Sequence, residues 1–265
     1  MDVFKRELAP ITETAWQEID SLVKRTLQAH LSARKFVDVS EPRGWDFPGI
    51  PLGRIGAVES SKSERVEYGI RQIQPMVETR VSFELNIWEL DNLSRGAKDI
   101  DLDAAQRAAK DAALFEERTI YSGLKKANIQ GLEKAARNAL VLPENVDDWL
   151  KIISEAISLL TENSVDGSYA LILNPPGWRA LAECSRGYPL RKQIKELLNG
   201  PIIYSISSPC GFLVSMRGGD FELILGQDYT LGYETHNSKM VRLYLTELFT
   251  FQIYDPLALV KFDLK

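Results

Sequence analysis

Two histidines, two cysteines and one pair of adjacent glutamates are the residues in which chemistry would first be sought in this 265-residue chain. His30 and His236 stand far apart, and neither falls in an HExxH or comparable metal-binding spacing. Cys184 and Cys210 form no CxxC pair. They read as two thiols in a reducing compartment, with Cys184 a small core residue of an Ala/Leu-rich helix. Glu116 and Glu117 follow one another on a helical stretch and so point in different directions. That suits one solvated and one salt-bridged carboxylate better than an acid–base pair. The nucleophile elbow, the P-loop and the dinucleotide-binding glycine fingerprint are missing. No catalytic residue and no metal ligand is expected, and the chain reads as a non-enzyme.

The elements that would position such groups are legible from periodicity. Trp16, Ile19, Val23, Leu27 and Leu31 recur at spacings of three and four. They predict an amphipathic helix opened by a capping box at Thr14 and Gln17 and closed near Ser32–Ala33. His30 lies at the edge of its apolar stripe. Residues 41–57, rich in Pro and Gly, read as an irregular arm, followed by two extended segments around a polar turn at 60–63. Val77, Val81, Phe83, Leu85 and Ile87 then alternate with Glu78, Arg80, Ser82, Glu84, Asn86 and Trp88. One strand this long predicts contact with a neighbouring subunit. From Asp101 to Tyr121 an Ala-rich helix is expected, stopped by Gly123. Another helix follows Pro143. After it come a strand at Tyr169–Leu173, a turn at Asn174–Gly177, and short helices around Trp178–Glu183 and Leu190–Leu198. Strands close the chain at Ile202–Ile206, Phe212–Met216, Phe221–Leu225 and Val241–Tyr254. The class is α+β.

Composition bounds the function classes. Hydrophobic residues make up 45% and charged residues 26%, as in ordinary globular proteins. A net charge of -5 speaks against nucleic acid as a partner. The first residues lack the apolar core of a signal peptide, and no run approaches the ~20 apolar residues that span a bilayer. No membrane partner and a cytoplasmic location are expected.

Several blocks along the chain resemble the family 1 encapsulin shell proteins. They are Phe4-Lys5-Arg6 through Ala9-Pro10, Trp16–Asp20, Arg34–Val39, Trp88–Leu93 with Arg95-Gly96, Arg217–Phe221, Leu223–Asp228, Gly232–Glu234 and Thr246–Gln252. The resemblance implies an HK97 phage-capsid-like fold with an N-terminal interior helix. Its parts would be residues 1–47 as helix and arm, 48–80 as elongation loop, 81–134 with 226–265 as peripheral domain, and 135–225 as axial domain. It further implies an icosahedral homo-oligomer that encloses a cargo enzyme, a ferritin-like iron-storage protein or a dye-decolourising peroxidase, held by that enzyme's C-terminal targeting peptide. The chain is read as lacking the long N-terminal extension common in phage capsid subunits, which favours encapsulin over the alternative of a prophage major capsid protein. A stand-alone hydrolase is the more distant alternative.

By the same resemblance, the cargo peptide would dock at Leu27, His30, Leu31, Arg34 and Asp38 together with Leu231, Phe251 and Ile253. A five-fold pore would be lined by Ser185, Arg186, Gly187 and Tyr188. No cofactor is required. Some relatives bind a flavin (FMN or riboflavin) at the position of Trp88, where a neighbouring subunit's Arg80 could hold a phosphate.

Overall fold

The computed structural model describes residues 3–57, 59–60, 67–183 and 189–264. The first helix, α1 (Glu13–His30), is capped by Thr12, whose hydroxyl accepts the Ala15 N–H at 3.3 Å. Thr12 has the extended backbone that a cap needs, whereas Thr14 already lies inside the first turn, so the expected capping box is displaced. A two-residue strand β1 (Asp38–Val39) leads to a protruding hairpin. Its strands are β2 (Gly49–Ile55), β3 (Glu59–Ser60), β4 (Glu67–Tyr68) and β5 (Arg71–Pro75), with β2 paired to β5 and β3 to β4. The arm expected to be irregular therefore contains a strand from Gly49 onward. At Gly49 a Cβ would lie 2.6 Å from the Gln74 carbonyl oxygen, so only glycine lets the two strands cross there.

β6 (Val77–Asn86) pairs antiparallel with β14 (Met240–Ile253) along its whole length, from Val77 opposite Phe249 to Asn86 opposite Met240. The long strand finds its partner inside the chain, which corrects the expectation that its length requires a neighbouring subunit. It also places residues 77–80 in the sheet, outside the protruding hairpin. β6 stops because the Asn86 side chain accepts the Trp88 N–H at 2.9 Å and caps α2 (Ile87–Ser94). The alternation of residue types runs on to Trp88, but that residue belongs to a helix.

The Ala-rich α3 (Asp103–Ser122) ends at Gly123, whose φ of 85° is the left-handed region. The small hairpin β7 (Gly123–Leu124) and β8 (Ile129–Gln130), then α4 (Leu132–Ala135), lead to a second body. There β9 (Asn138–Leu142), α5 (Trp149–Glu162), β10 (Tyr169–Leu173), α6 (Pro175–Glu183), α7 (Leu190–Leu198), β11 (Ile202–Tyr204) and β12 (Gly211–Ser215) follow in order. β13 (Phe221–His236) returns to the first body and forms a long hairpin with β14, and β15 (Leu259–Leu264) closes the chain.

Besides the two-stranded pairs, the described residues form two larger sheets, with strand orders β1-β13-β14-β6 and β11-β10-β12-β15-β9. β15, grouped by sequence with the peripheral part, pairs with β12 and β9 in the second sheet instead. α1 and α3 bury their apolar faces with Phe83, Leu85, Leu231, Leu243 and Leu245 of the first sheet. Ala105, Ala108, Ala109, Ala112 and Ala113 are all buried, and such small side chains let a helix lie close to its neighbours. A second core, around Trp149, Ile153, Leu171, Phe212 and Phe262, joins the other sheet to the Phe249–Phe251 end of β14.

Candidate functional site

Val23, Leu27 and Leu31 stand four residues apart, so they form one row along α1 and the turn after it. Opposite them β13 carries Leu231, cross-strand partner of Leu245 on β14. Between these rows lies a groove of about 740 Å³ with an apolar floor and a charged rim that includes Arg6, Asp20, Lys24, Lys35 and Asp228. Leu27, Leu31 and Leu231 from the sequence reading are all here.

Arg34 forms one wall, its guanidinium held by three carboxylates of the chain. It contacts Glu116 at 2.6 Å, Glu247 at 2.7 Å and Asp228 at 2.9 Å, and lies 5.2 Å from the Tyr229 ring centre. Burial alone would lower its pKa, yet the Glu116 hydrogen bonds and the charges of Glu116, Glu247 and Asp228 hold it above the ordinary arginine value. The Glu247 carboxyl is raised well above the usual range, first by burial and then by Glu116 beside it. Its Oε2 is buried and has no hydrogen-bond partner among the described residues. Arg34 therefore lines the groove as the sequence reading expects, and its three carboxylate partners also make it an anchor of that wall.

Glu117 faces away from Arg34. It accepts the Ala33 N–H at 2.7 Å and hydroxyl hydrogens from Ser32 and, at 3.3 Å, Ser205. Burial pushes its pKa up to about 7, against the pull of the Ser32 and Ala33 hydrogen bonds. Both glutamates are fully buried, so neither is solvated as the sequence suggested. Together they tie the chain just after α1 to α3 and to both sheets.

The remaining expected groove residues lie elsewhere. His30 Nδ1 lies 2.8 Å from the Thr26 carbonyl on the helix's own backbone. Asp38 accepts the Gly219 N–H at 2.6 Å and pins the turn between the two sheets, where Arg217 bridges Asp220 and Asp255. Phe251 and Ile253 share the face of Leu245 but lie six and eight residues further along β14, about 20 and 27 Å away. They flank a second depression of about 470 Å³ at the root of the β2–β5 hairpin, beside Ile50, Leu52 and Gln74. The signal for Val23 was present in the helical row. Nothing local marked Leu245, Lys24 or Asp228, which enter only through strand register and packing.

Trp88, 69% exposed, sits in the first turn of α2, while Arg80 lies on β6 with its guanidinium 4.1 Å from the Tyr244 ring centre and 3.8 Å from Glu78. One chain does not bring the two together. Ser185, Arg186, Gly187 and Tyr188, expected to line a pore, lie outside the described residues, as does Cys184. Cys210 is buried, and burial pushes its thiol up to about 12, leaving it unreactive. Among the described residues no cluster of His, Cys, Asp and Glu suits a metal ion, and no helix is long and apolar enough to cross a membrane.

Comparison with known proteins agrees with this architecture. Solved structures with the same fold include a virus-like particle from Pyrococcus furiosus, with a TM-score of 0.68 and 18% identity over 94% of this chain and 99% of that one. The Gordonia phage Cozz structure aligns with a TM-score of 0.56 and 13% identity over 89% and 87% of the two chains. At these identities the likeness establishes an HK97-like capsid fold and nothing finer. Type 1 encapsulin shell proteins are much nearer in sequence. That of Mycobacterium tuberculosis is 38% identical over 98% of both chains. That of Rhodospirillum rubrum is 37% identical over 98% of this chain and 96% of its own. The family model described as "Encapsulating protein for peroxidase" matches residues 1–250. With the capsid fold, the family match and these full-length relatives in agreement, this chain belongs to the encapsulin shell proteins, the subunits that assemble into a closed capsid-like compartment.

Proposed function

We propose that the shell built by this chain encloses an enzyme, and that the groove between α1 and β13 holds that enzyme's C-terminal peptide against the inner wall. The observation that carries the reading is the groove itself: a leucine floor formed by Leu27, Leu31 and Leu231, open enough for a peptide, under a rim of both charges. An apolar floor supplies affinity and a polar rim supplies orientation. The shell subunit contributes no catalysis, and the chemistry belongs to the cargo, a dye-decolourising peroxidase or a ferritin-like iron-storage protein. The family description, which names a peroxidase, supports the first. Small molecules would enter through pores lined by residues 185–188.

The test is to purify shells from the native cells and identify the protein inside that resists added protease. Shells carrying Leu27→Asp, or the milder Leu31→Gln, should keep their size and lose that protein. Truncation of the cargo's C-terminus should release it equally. Variant shells that retain full cargo would overturn the placement of the site.

A further inference from the structure

The five-stranded sheet ends at β11 on one side and β9 on the other, and neither outer edge is paired among the described residues. β10 runs parallel to β11 and antiparallel to β12, β12 is antiparallel to β15, and β15 is parallel to β9. It follows that β9, β10 and β11 all point the same way, and that the chain leaves all three at the same end of the sheet. On the β11 side of that end, Pro175, Trp178 and Arg179 of α6 and Tyr204 of β11 surround a depression of about 430 Å³. Trp178 and Tyr204 meet edge to face at 5.5 Å, and the Arg191 guanidinium lies 4.7 Å from the indole centre. Arg179 is exposed and makes no ion pair among the described residues, and Tyr204 is 42% exposed. On the β9 side, Leu142 leads into a turn carrying Glu144, Asp147 and Asp148, all exposed. The edges are four strand spacings apart, about 19 Å. One is aromatic and cationic, the other anionic, and both stand at the same height.

We propose that these two surfaces are the halves of one contact between copies of this chain, with the 144–148 turn of one subunit seated in the Trp178–Tyr204 depression of the next. Complementary charge selects a second copy as the occupant. Equal height means that rotation about an axis running along the strands is enough to bring the two surfaces together. A head-to-tail contact of this kind closes into a ring, one of the cyclic elements from which a closed shell is built. Trp, Tyr and Arg are the residue types that dominate binding energy at such contacts. This goes beyond cargo capture and does not depend on it.

The experiment is a charge swap in the full chain. Arg179→Glu and Glu144→Lys should each cause loss of the shell peak in size-exclusion chromatography, with the far-ultraviolet circular dichroism of the dissociated chain unchanged. The double variant should recover most of that peak. Single variants that assemble like the wild type, or a double variant no better than either single, would overturn the proposal. An independent check joins Tyr204→Cys with Val146→Cys in assembled shells, with wild-type shells treated alike as the baseline. Oxidation should give a ladder of covalent oligomers on a non-reducing gel, and a lone monomer band from intact shells would equally overturn it.

Discussion

Arg34 sits against two fully buried carboxylates and a third at the rim, so its loss would strand charge inside the protein rather than merely break a pair. Arg34→Ala should cost on the order of 3–5 kcal/mol in denaturant unfolding. Arg34→Lys should recover little, because one ammonium cannot replace a fork that serves three partners. Wild-type stability in either variant would contradict this account of the wall. Glu117 makes a prediction of the opposite kind, since the fold disfavours its ionised form. Its folded pKa of about 7 stands above the ordinary 4.5. The stability it contributes is therefore fully present below about pH 4.5 and is lost as the pH rises through about 7. Glu247, raised in the same sense, adds to that slope. Glu117→Gln should flatten the fall of the thermal midpoint between about pH 5 and pH 8, and an unchanged slope would sink the assignment. Helical adjacency did reveal that Glu116 and Glu117 face different partners. Their burial was not legible, because Arg34 and Ser205 lie 82 and 88 positions away and only the folded chain brings them in.

At the scale of elements, the β2–β5 hairpin is the part least able to stand alone. Ile55, Ile70 and Ile73 on it are 61%, 76% and 59% exposed, an apolar surface that a free subunit would not keep. Another copy is expected to cover it. Ile73→Asp should leave the circular dichroism of the subunit intact and abolish shells in size-exclusion chromatography, and normal shells from this variant would contradict the role given to the hairpin. Helices were the most legible elements, because α1 and α3 announce themselves by a 3.6-residue stripe and a run of alanines. Strand ends were less so. β6 gave the right alternation, but its end depends on one cap by Asn86, and its partner β14 lies over 150 residues on, a pairing that alternation cannot specify. The groove shows the same division. Leu27 and Leu31 follow from helix geometry, while Phe251 and Ile253 share the correct strand face yet lie too far along it to reach.

For the whole molecule, two sheets joined through the long β13–β14 hairpin make a subunit with a protruding arm, an apolar groove and two sheet edges of opposite charge. Blocks spread over the full length allowed the family to be recognised from sequence, because each is short but their order and spacing repeat together. The arrangement of surfaces needed the fold. The assignment of β15 to the second sheet illustrates why: the last residues of the chain return to a body that was otherwise complete by β12. The hairpin and the two sheet edges act only when subunits close on one another. The most direct test is negative-stain electron microscopy of the purified full-length chain after size-exclusion chromatography. The account predicts uniform hollow spheres eluting far ahead of the 29.9 kDa subunit. A population of monomers or dimers under the same native conditions would contradict it.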